Sequence, residues 1–350
     1  MEKIPVAILA ATGIVGQRFV QLLDKHPWFQ VMALTGSDRN IGLPYGESCR
    51  WVLPEPMPDW ARNMVLKRSE PEEIKVPLIF SSLPANAALE IEARFAQAGA
   101  IVCTNASAYR WEPDVPILLP EVNPDHVDLI QLQRQQRGWK GGIATNANCT
   151  STGMTIVLKA LQESFGLRRV FAVSLQALSG AGIPGVPSLD IADNVLPWIS
   201  GEEEKVEREP RKILGKLRGQ SIDQADFVIS AQTNRVAVTD GHLVCLSIEL
   251  ERRASIQEVS SALSDFSIPE ISRGLPLTPE PVIKLMERED RPQPRLDRMI
   301  GSGMTTVVGR VRPDPIFDLR LVVLSHNTIR GAAGGSIYNA ELITKVGMLD

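Results

Sequence analysis

The first half of the chain alternates short runs of apolar residues with segments in which apolar residues recur every three or four positions. Short apolar runs predict buried strands, and the helical period predicts amphipathic helices. We predict strands at Ile4–Ala10, Phe29–Leu34, Pro77–Ser81 and Ala100–Thr104, and helices at Val15–His26 and Ala85–Ala98. Strands that alternate with helices predict a parallel sheet with right-handed crossovers.

From about Cys149 the pattern changes. A helix at Ser151–Phe165 is followed by a long strand at Arg169–Leu178 and by a second helical region that ends near Leu217. The strands predicted next are Arg235–Val238, His242–Leu250, Met304–Val311 and Phe317–Leu324, before a last helix at Asn327–Val346. Consecutive strands without intervening helices predict a mixed or antiparallel sheet.

These elements predict an α/β protein of two domains, which suits a length of 350 residues. The first would be a cofactor-binding domain of residues 1–148, completed by the C-terminal helix within residues 327–350. The second would be an α+β catalytic domain of residues 149–326. The helix at the end of the chain is expected to pack back on the first domain.

Composition excludes several classes of protein. The chain is 44% hydrophobic and 22% charged with a net charge of −4, and its basic residues are scattered, which argues against a nucleic-acid partner. No apolar run approaches the roughly 20 residues that cross a bilayer. The cysteines and histidines lack the paired spacing of a metal site. Ile4–Ala11 could pass for a signal-peptide core, but it leads directly into a glycine turn and a helix, so we expect a cytoplasmic protein with reduced thiols and no metal.

The first strand and first helix are joined by a turn with small residues at Ala10, Gly13 and Gly16. The spacing resembles the dinucleotide turn of a Rossmann-like domain, in which small residues let the backbone and the helix N-terminus approach a pyrophosphate. Ala10 replaces the first glycine, and a merely structural turn is the alternative. The expected cofactor contacts are Thr12, Gly13, Ile14, Val15 and Gly16.

The residues after the second strand bear on the choice of cofactor. Ser37 and Arg39 could hold a 2′-phosphate by hydrogen bond and charge, which favours NADP. Asp38 could instead hold the ribose hydroxyls of NAD. A solvated polar loop is the third interpretation of this segment.

One cysteine stands in a setting suited to nucleophilic chemistry. Cys149 lies where a helix begins, and the positive end of the helix dipole would lower the pKa of its thiol. Cys103 and Cys245 lie in strand patterns, where cysteine acts as a small hydrophobe, and Cys49 has no local signature. A buried structural thiol is the alternative for Cys149.

A nucleophilic cysteine usually needs an acid/base partner. His26 and His126 are expected to be solvated, and His326 precedes the last helix. His242 follows a tight Asp-Gly turn and opens a strand of the second half. The residues alone favour His242 only slightly.

Together these motifs resemble the aspartate-semialdehyde dehydrogenase family, in the branch found in archaea and fungi, over essentially the whole chain. Asn148-Cys149-Thr150 resembles the nucleophile motif of that family, and Gln176 matches the glutamine that orients the substrate. Arg235 and His242 have the spacing of seven found there between the arginine that binds the substrate carboxylate and the acid/base histidine.

The resemblance implies further contacts. Glu202 would meet the substrate ammonium group, and Lys205 and Arg110 would hold phosphate, although the run of three glutamates leaves the register of Glu202 open. Asn148 would lie in the substrate site. The cofactor contacts implied are Ser82, Ser179, Gly180 and Asn327, the last meeting the nicotinamide amide.

The fold implied is that of glyceraldehyde-3-phosphate dehydrogenase: a Rossmann-like NADP-binding domain and a catalytic domain that also forms a homodimer or homotetramer through its sheet. The implied reaction is NADPH-dependent conversion of L-4-aspartyl phosphate to L-aspartate 4-semialdehyde and phosphate through a cysteine thioester, in the biosynthesis of lysine, threonine, methionine and isoleucine.

Three alternatives to this function stay open. A malonyl-CoA reductase-type enzyme would use the same cysteine and histidine but would have little use for Glu202 and Lys205. An N-acetylglutamyl-phosphate reductase is disfavoured because its substrate has no free ammonium group for Glu202. A catalytically silent NADP-binding Rossmann protein would need neither the cysteine nor the histidine.

Overall fold

Two large β-sheets and a short two-stranded one organise the chain, which a computed structural model describes for residues 2–349. The strands are β1 (Ile4–Leu9), β2 (Phe29–Leu34), β3 (Leu78–Ser81), β4 (Ile101–Thr104), β5 (Gly142–Thr145), β6 (Leu167–Gln176), β7 (Lys216–Arg218), β8 (Ser221–Asp223), β9 (Val228–Arg235), β10 (His242–Leu250), β11 (Ile283–Leu285), β12 (Thr306–Pro313) and β13 (Leu319–Ser325). The α-helices are α1 (Ile14–Leu22), α2 (Tyr45–Ser48), α3 (Asp59–Arg62), α4 (Ala85–Ala98), α5 (Leu129–Arg137), α6 (Cys149–Phe165), α7 (Ser188–Ile191), α8 (Glu202–Ile213), α9 (Ile256–Ser264), α10 (Pro294–Asp297) and α11 (Gly334–Lys345).

The first sheet is parallel throughout, in the order β2-β1-β3-β4-β5. Buried side chains of α1 and α11, such as Phe19 and Ile337, share a core with one face, whereas Phe95 of α4 packs with the other. A parallel sheet with both faces covered requires strands that are apolar throughout, which explains why the short apolar runs predicted them. The C-terminal helix α11 packs on this sheet, at the end of the chain.

The second sheet is mixed, in the order β11-β12-β13-β10-β6-β9. Only the β11–β12 and β6–β9 pairs are parallel. Helix α6 packs on one face and shares a core with α8 and α9. The other face leaves Phe171, Val228 and Cys245 exposed. Alternate side chains on β10 therefore point into the core and onto an open face.

Three predictions about local structure are wrong. The strand predicted at Arg235–Val238 shares only Arg235 with the observed β9, Val228–Arg235, whose paired register with β6 ends at the Gln176–Arg235 pair. The last helix begins as a π-helical turn at Ile329–Ala333, later than Asn327. His26 and His126 are buried, not solvated, and His26 Nε2 lies 2.9 Å from Glu341 Oε1.

None of the helices within residues 2–349 has the length and apolar character needed to cross a membrane.

Candidate active site

Three of the residues singled out in the sequence meet at one edge of the second sheet. The parallel strands β6 and β9 end side by side, with Gln176 opposite Arg235 in the register. Strand β10 runs antiparallel to β6 and begins at His242. Their side chains therefore reach the same edge of the sheet although they lie far apart in the sequence.

Cys149 is the first residue of α6, which packs on this sheet. The side chain of Asn148 caps the helix by accepting hydrogen bonds from the amides of Thr150, at 2.9 Å, and Ser151, at 3.3 Å. The cap fixes the turn on which the thiol stands. Cys149 Sγ lies 3.3 Å from His242 Nε2, so the structure brings the predicted nucleophile and its predicted partner into contact.

Burial dominates the protonation of this pair. Desolvation and the Glu202 carboxylate raise the pKa of the Cys149 thiol to about 12, against the opposing charges of Arg110 and Arg235. Desolvation and the Arg235 charge lower the pKa of His242 to about 3. The expectation of a low thiol pKa is wrong for the ligand-free site, because desolvation is the largest influence on the thiol and raises its pKa. A neutral thiol faces a neutral imidazole.

Glu202, at the start of α8, is the centre of a second group. One of its carboxylate oxygens accepts hydrogen bonds from Asn148 Nδ2, at 2.9 Å, and Gln176 Nε2, at 3.4 Å. The other accepts from Lys205 Nζ at 2.7 Å. Burial opposes ionisation, but Lys205 and these donors hold the pKa of Glu202 below its usual value. The site thus presents a carboxylate whose charge acts on Cys149.

Arg235 is held by the turn that follows β6. Its Nη1 donates to the carbonyl oxygen of Ala177 at 2.7 Å. A methyl group at Gly180 would lie 2.7 Å from Arg235 Nη1 and 3.2 Å from His242 Cε1. The arginine and the histidine therefore share a space that only glycine leaves free at position 180.

Arg110 is buried, and its Nη1 donates to Glu209 Oε1 at 2.8 Å. The other oxygen of Glu209 accepts the backbone N–H of Asn148 at 2.6 Å. Lys212 Nζ donates to the carbonyl oxygens of Arg110, Glu112 and Val115 at 2.7–2.8 Å. Helix α8 thus fastens the arginine loop to the turn that carries Cys149.

The first strand ends in the predicted dinucleotide turn. Ala10 has a positive φ of 56°, the conformation for which such turns favour glycine. A methyl group at Gly16 would lie 2.5 Å from the carbonyl oxygen of Ala10, so α1 packs directly against the turn. Gly13 precedes α1 without a side-chain cap, which leaves backbone amides available to an anion. These features fit a pyrophosphate.

A single cavity of about 540 Å³ joins this turn to the thiol and the buried charges. The predicted site residues that line it are Gly13, Ile14, Val15, Ser82, Arg110, Asn148, Cys149, Ser179, Gly180, Glu202, Lys205 and Asn327. Asn327 accepts from the amide of Gly241 at 2.8 Å and donates to Ser179 Oγ at 2.7 Å. A nicotinamide nucleotide with its phosphates at the turn would reach the cysteine through this cavity.

Some predicted contacts lie outside the cavity lining. Thr12 and Gly16 belong to the turn but do not line the cavity, and Gln176, Arg235 and His242 contact residues that do. Ser37 and Arg39 are exposed beyond β2, beside the end of β1, where Ala10 N donates to Thr35 Oγ1 at 3.0 Å. That position suits the adenosine end of a nucleotide.

Sequence reasoning missed Glu209, Lys212 and Ala177. The charged run from Glu202 to Lys212 would ordinarily be a solvated helix face. Its members Glu202, Lys205, Glu209 and Lys212 are spaced three, four and three apart, which places them on one side of a helix. That spacing is the sequence feature from which a shared, functional helix face could have been predicted. Within residues 2–349, His, Cys, Asp and Glu side chains nowhere gather in a group of three or more that could hold a metal ion.

Comparison with protein families gives two matches. The model described as the NAD binding domain of semialdehyde dehydrogenases matches residues 5–130. The model described as their dimerisation domain matches residues 158–330. The two matches together span most of the chain.

The similar proteins, matched over nearly their whole length, are named aspartate-semialdehyde dehydrogenases. An aspartate-semialdehyde dehydrogenase of Archaeoglobus fulgidus is 48% identical over 340 residues, covering 97% of this chain and 98% of the relative. That of Schizosaccharomyces pombe is 44% identical, covering 98% and 99%. The crystal structure of the Candida albicans enzyme with NADP is 38% identical and aligns with a TM-score of 0.90, over 99% of this chain and all of that one.

Proposed function

Because this chain belongs to the aspartate-semialdehyde dehydrogenase family, we propose that it reduces L-4-aspartyl phosphate to L-aspartate 4-semialdehyde with NADPH, through a thioester on Cys149. It is an NADP-dependent oxidoreductase of amino-acid biosynthesis. The observation that carries the proposed chemistry is the 3.3 Å contact between Cys149 Sγ and His242 Nε2 at the end of the cavity that begins at the dinucleotide turn.

The chain offers a complementary group for each charge of the substrate. Arg235, held by the Ala177 carbonyl, presents a planar guanidinium to the carboxylate. Glu202 is ionised and faces the ammonium group, while Gln176 and Asn148 bind its carboxylate and fix its position. Arg110 and Lys205 line the cavity and would hold the phosphate.

In the proposed reaction the sulfur of Cys149 attacks the acyl carbon, and the bond from that carbon to the phosphate oxygen breaks. When bound, NADPH supplies the hydride that reduces the thioester. Covalent capture holds the carbonyl in place for that transfer, and the orientation replaces a bimolecular encounter by a positioned one. Collapse of the resulting adduct breaks the bond between the sulfur and the substrate carbon, which releases the aldehyde and leaves Cys149 free.

The cofactor would lie along the cavity from the dinucleotide turn. Thr12, Gly13, Ile14, Val15 and Gly16 would hold its pyrophosphate by backbone amides at the start of α1. The remaining contacts proposed are Ser37 and Arg39 with the 2′-phosphate, and Ser82, Ser179, Gly180 and Asn327 with the nicotinamide half.

We further propose a homo-oligomer, a dimer or a tetramer, formed through the open face of the second sheet. Exposed Phe171 and Val228 on that face are apolar and unlike an ordinary solvated surface. In this proposal residues 1–148 with the C-terminal helix bind the cofactor, residues 149–326 carry catalysis and association, and the protein is cytoplasmic. The mass in solution, measured by light scattering, tests the assembly.

The function is tested by following NADPH absorbance with purified protein, aspartate semialdehyde, phosphate and NADP. Reduction of NADP that depends on phosphate and is lost in Cys149→Ser supports the reaction and the nucleophile together. Absence of that activity, with oxidation of NADPH by malonyl-CoA instead, would assign the protein to the acyl-CoA reductases and leave Glu202 and Lys205 without their proposed roles.

A further inference from the structure

Strand β9 is the last strand of the second sheet, and helix α8 covers its outer edge. The backbone N–H of Thr233 donates to Glu203 Oε1 at 3.1 Å, and that of Ala231 donates to Glu207 Oε1 at 2.9 Å. An edge strand presents such amides to whatever lies beside it, and a further strand would ordinarily pair with them. Here two carboxylates of one helix take the place of that strand.

The geometry of a helix and of a strand explains why the two elements fit. Glu203 and Glu207 are four residues apart, about 6 Å along the helix axis. The two amides are two residues apart, about 6.6 Å along the strand. The earlier glutamate binds the later amide, so α8 runs antiparallel to β9. The beginning of α8, with Glu202, therefore lies at the end of β9, where Arg235 stands, and the charge of Glu202 acts on Arg235.

The next amide on this edge is that of Arg235 itself. Its N–H donates to the carbonyl oxygen of Leu196 at 2.8 Å, and its own carbonyl oxygen accepts the N–H of Leu196 at 3.1 Å. Leu196 belongs to the segment that leads into α8. The segment thus holds the end of the strand through its backbone, and the side chains of Glu203 and Glu207 hold the two preceding positions. Neither glutamate lines the cavity.

The two elements joined in this way carry the two groups proposed to bind the amino-acid end of the substrate. Glu202 on α8 would meet the ammonium group, and Arg235 on β9 would meet the carboxylate. The substrate bears both charges on one carbon atom, so the spacing of the two side chains decides whether both contacts form at once. We propose that Glu203 and Glu207 are positioning residues that set this spacing by binding α8 to the outer edge of β9. The inference rests on the proposed function.

Steady-state kinetics in the phosphate-dependent direction test the role of Glu203, the nearer of the two glutamates to Glu202. We expect Glu203→Ala to raise the KM for aspartate semialdehyde by about tenfold, the effect of weakening one contact to a charged group. The KM for NADP should not change, because the proposed cofactor contacts lie on other elements. Glu203→Gln keeps an oxygen that accepts a hydrogen bond and should restore most of the affinity. Equal impairment by alanine and glutamine, or an equal rise in both KM values, would overturn the proposal.

The matched control is Glu204→Ala. It removes a carboxylate from the neighbouring position of the same helix, but Glu204 is exposed and pairs with Arg208 at the surface. Both KM values should therefore stay at those of the wild-type protein. A rise in the KM for aspartate semialdehyde as large as that in Glu203→Ala would mean that any change in this turn of α8 disturbs the site, and would count against a specific role of Glu203.

A double-mutant cycle shows whether Glu203 acts through Glu202. If it does, Glu203→Ala has little left to disturb once Glu202 has lost its charge. We expect Glu203→Ala to raise the KM for aspartate semialdehyde by less than about twofold in a Glu202→Gln background, because two changes to one contact do not add. The same fold-rise in both backgrounds would show that Glu203 acts independently of Glu202, and would overturn the positioning role.

The contact between helix and strand also has a measurement that does not depend on activity. Amide hydrogen exchange, read by mass spectrometry over the peptide that contains β9, should be faster in Glu203→Ala than in the wild-type protein and in Glu204→Ala, because the amide of Thr233 loses its acceptor. Unchanged exchange would overturn the proposal. If the wild-type protein lacks semialdehyde activity, the proposed function fails and the positioning role falls with it, while exchange still decides whether α8 binds the edge of β9.

Discussion

Glu209 and Arg110 form a buried ion pair, 2.8 Å from Oε1 to Nη1, at the back of the proposed phosphate site. The second oxygen of the glutamate accepts the amide of Asn148, the residue before the nucleophile. One carboxylate therefore links the phosphate arginine with the turn that carries Cys149. A glutamine cannot serve both donors, because only one of its two terminal atoms accepts a hydrogen bond.

We expect Glu209→Gln to lower the free energy of unfolding by about 3 kcal/mol, because it leaves the buried charge of Arg110 without its partner. The measurement is urea unfolding followed by circular dichroism. Glu204→Gln is the matched control on the same helix, where the side chain is exposed and pairs with Arg208 at the surface, and its effect should stay within about 0.5 kcal/mol. Equal stability of the two variants would mean that the pair is not formed.

Replacement of Arg235 by lysine keeps the charge but removes the planar fork. We expect Arg235→Lys to raise the KM for aspartate semialdehyde by about tenfold and to lower kcat, since a lysine cannot bind the Ala177 carbonyl and a carboxylate in the same geometry. Steady-state kinetics in the phosphate-dependent direction measure both. The control is Arg94→Lys, because Arg94 lies on α4 and pairs with Glu72 at the surface. Unchanged constants for Arg235→Lys would remove this arginine from the substrate site.

The thiol of Cys149 should react slowly in the ligand-free protein. Its pKa is raised to about 12, first by burial and then by Glu202. Because a raised pKa leaves little thiolate below that value, we expect alkylation by iodoacetamide to accelerate about tenfold per pH unit between pH 8 and 10 without a plateau. Peptide mass spectrometry reports the labelling of Cys149 separately from the other cysteines.

Replacement of Glu202 tests whether its charge contributes to the raised pKa of Cys149. In Glu202→Gln the negative charge is gone, so the pKa of Cys149 should fall and alkylation at pH 8 should be faster than in the wild-type protein. A rate that levels off near pH 8 in the wild-type protein would show that the helix dipole outweighs burial after all.

Strong local patterns made part of the fold predictable. The strands Phe29–Leu34 and His242–Leu250 and the helix Ala85–Ala98 were predicted to the residue, because their apolar positions follow one period from end to end. The extent of β9 could not be predicted, because a strand ends where its neighbour stops pairing. The neighbour of β9 is β6, which lies about sixty residues earlier in the chain. Sheet register is set by non-local contacts that no window of sequence contains.

Some residues of the candidate site could likewise be predicted from local sequence, and others could not. Cys149 was recognisable because a helix start can be read locally, whereas the choice of His242 among the histidines depended on the resemblance to a family. Ala177 could not be predicted, since its contribution is a backbone amide that any residue except proline would supply. Glu209 and Lys212 were hidden by the usual meaning of a charged run, although their helical spacing was visible.

The dinucleotide turn contains a residue that is strained for its conformation. Ala10 has a φ of 56°, and a left-handed conformation costs a residue with a β-carbon roughly 1–2 kcal/mol. Glycine avoids that cost but loses roughly 0.5–1 kcal/mol through the greater freedom of its unfolded chain. The balance favours glycine, so we expect Ala10→Gly to raise the free energy of unfolding by about 0.5–1 kcal/mol.

Urea unfolding of the ligand-free protein measures this gain, and Ala11→Gly is the neighbouring control. Ala11 is fully buried and its φ is not positive, so its replacement removes packing without relieving strain and should destabilise the protein. Opposite signs for the two variants would establish that the backbone conformation, and not the size of the side chain, decides stability at position 10. Destabilisation by both would mean that the turn holds alanine at no cost, and that the missing first glycine of the motif carries no strain.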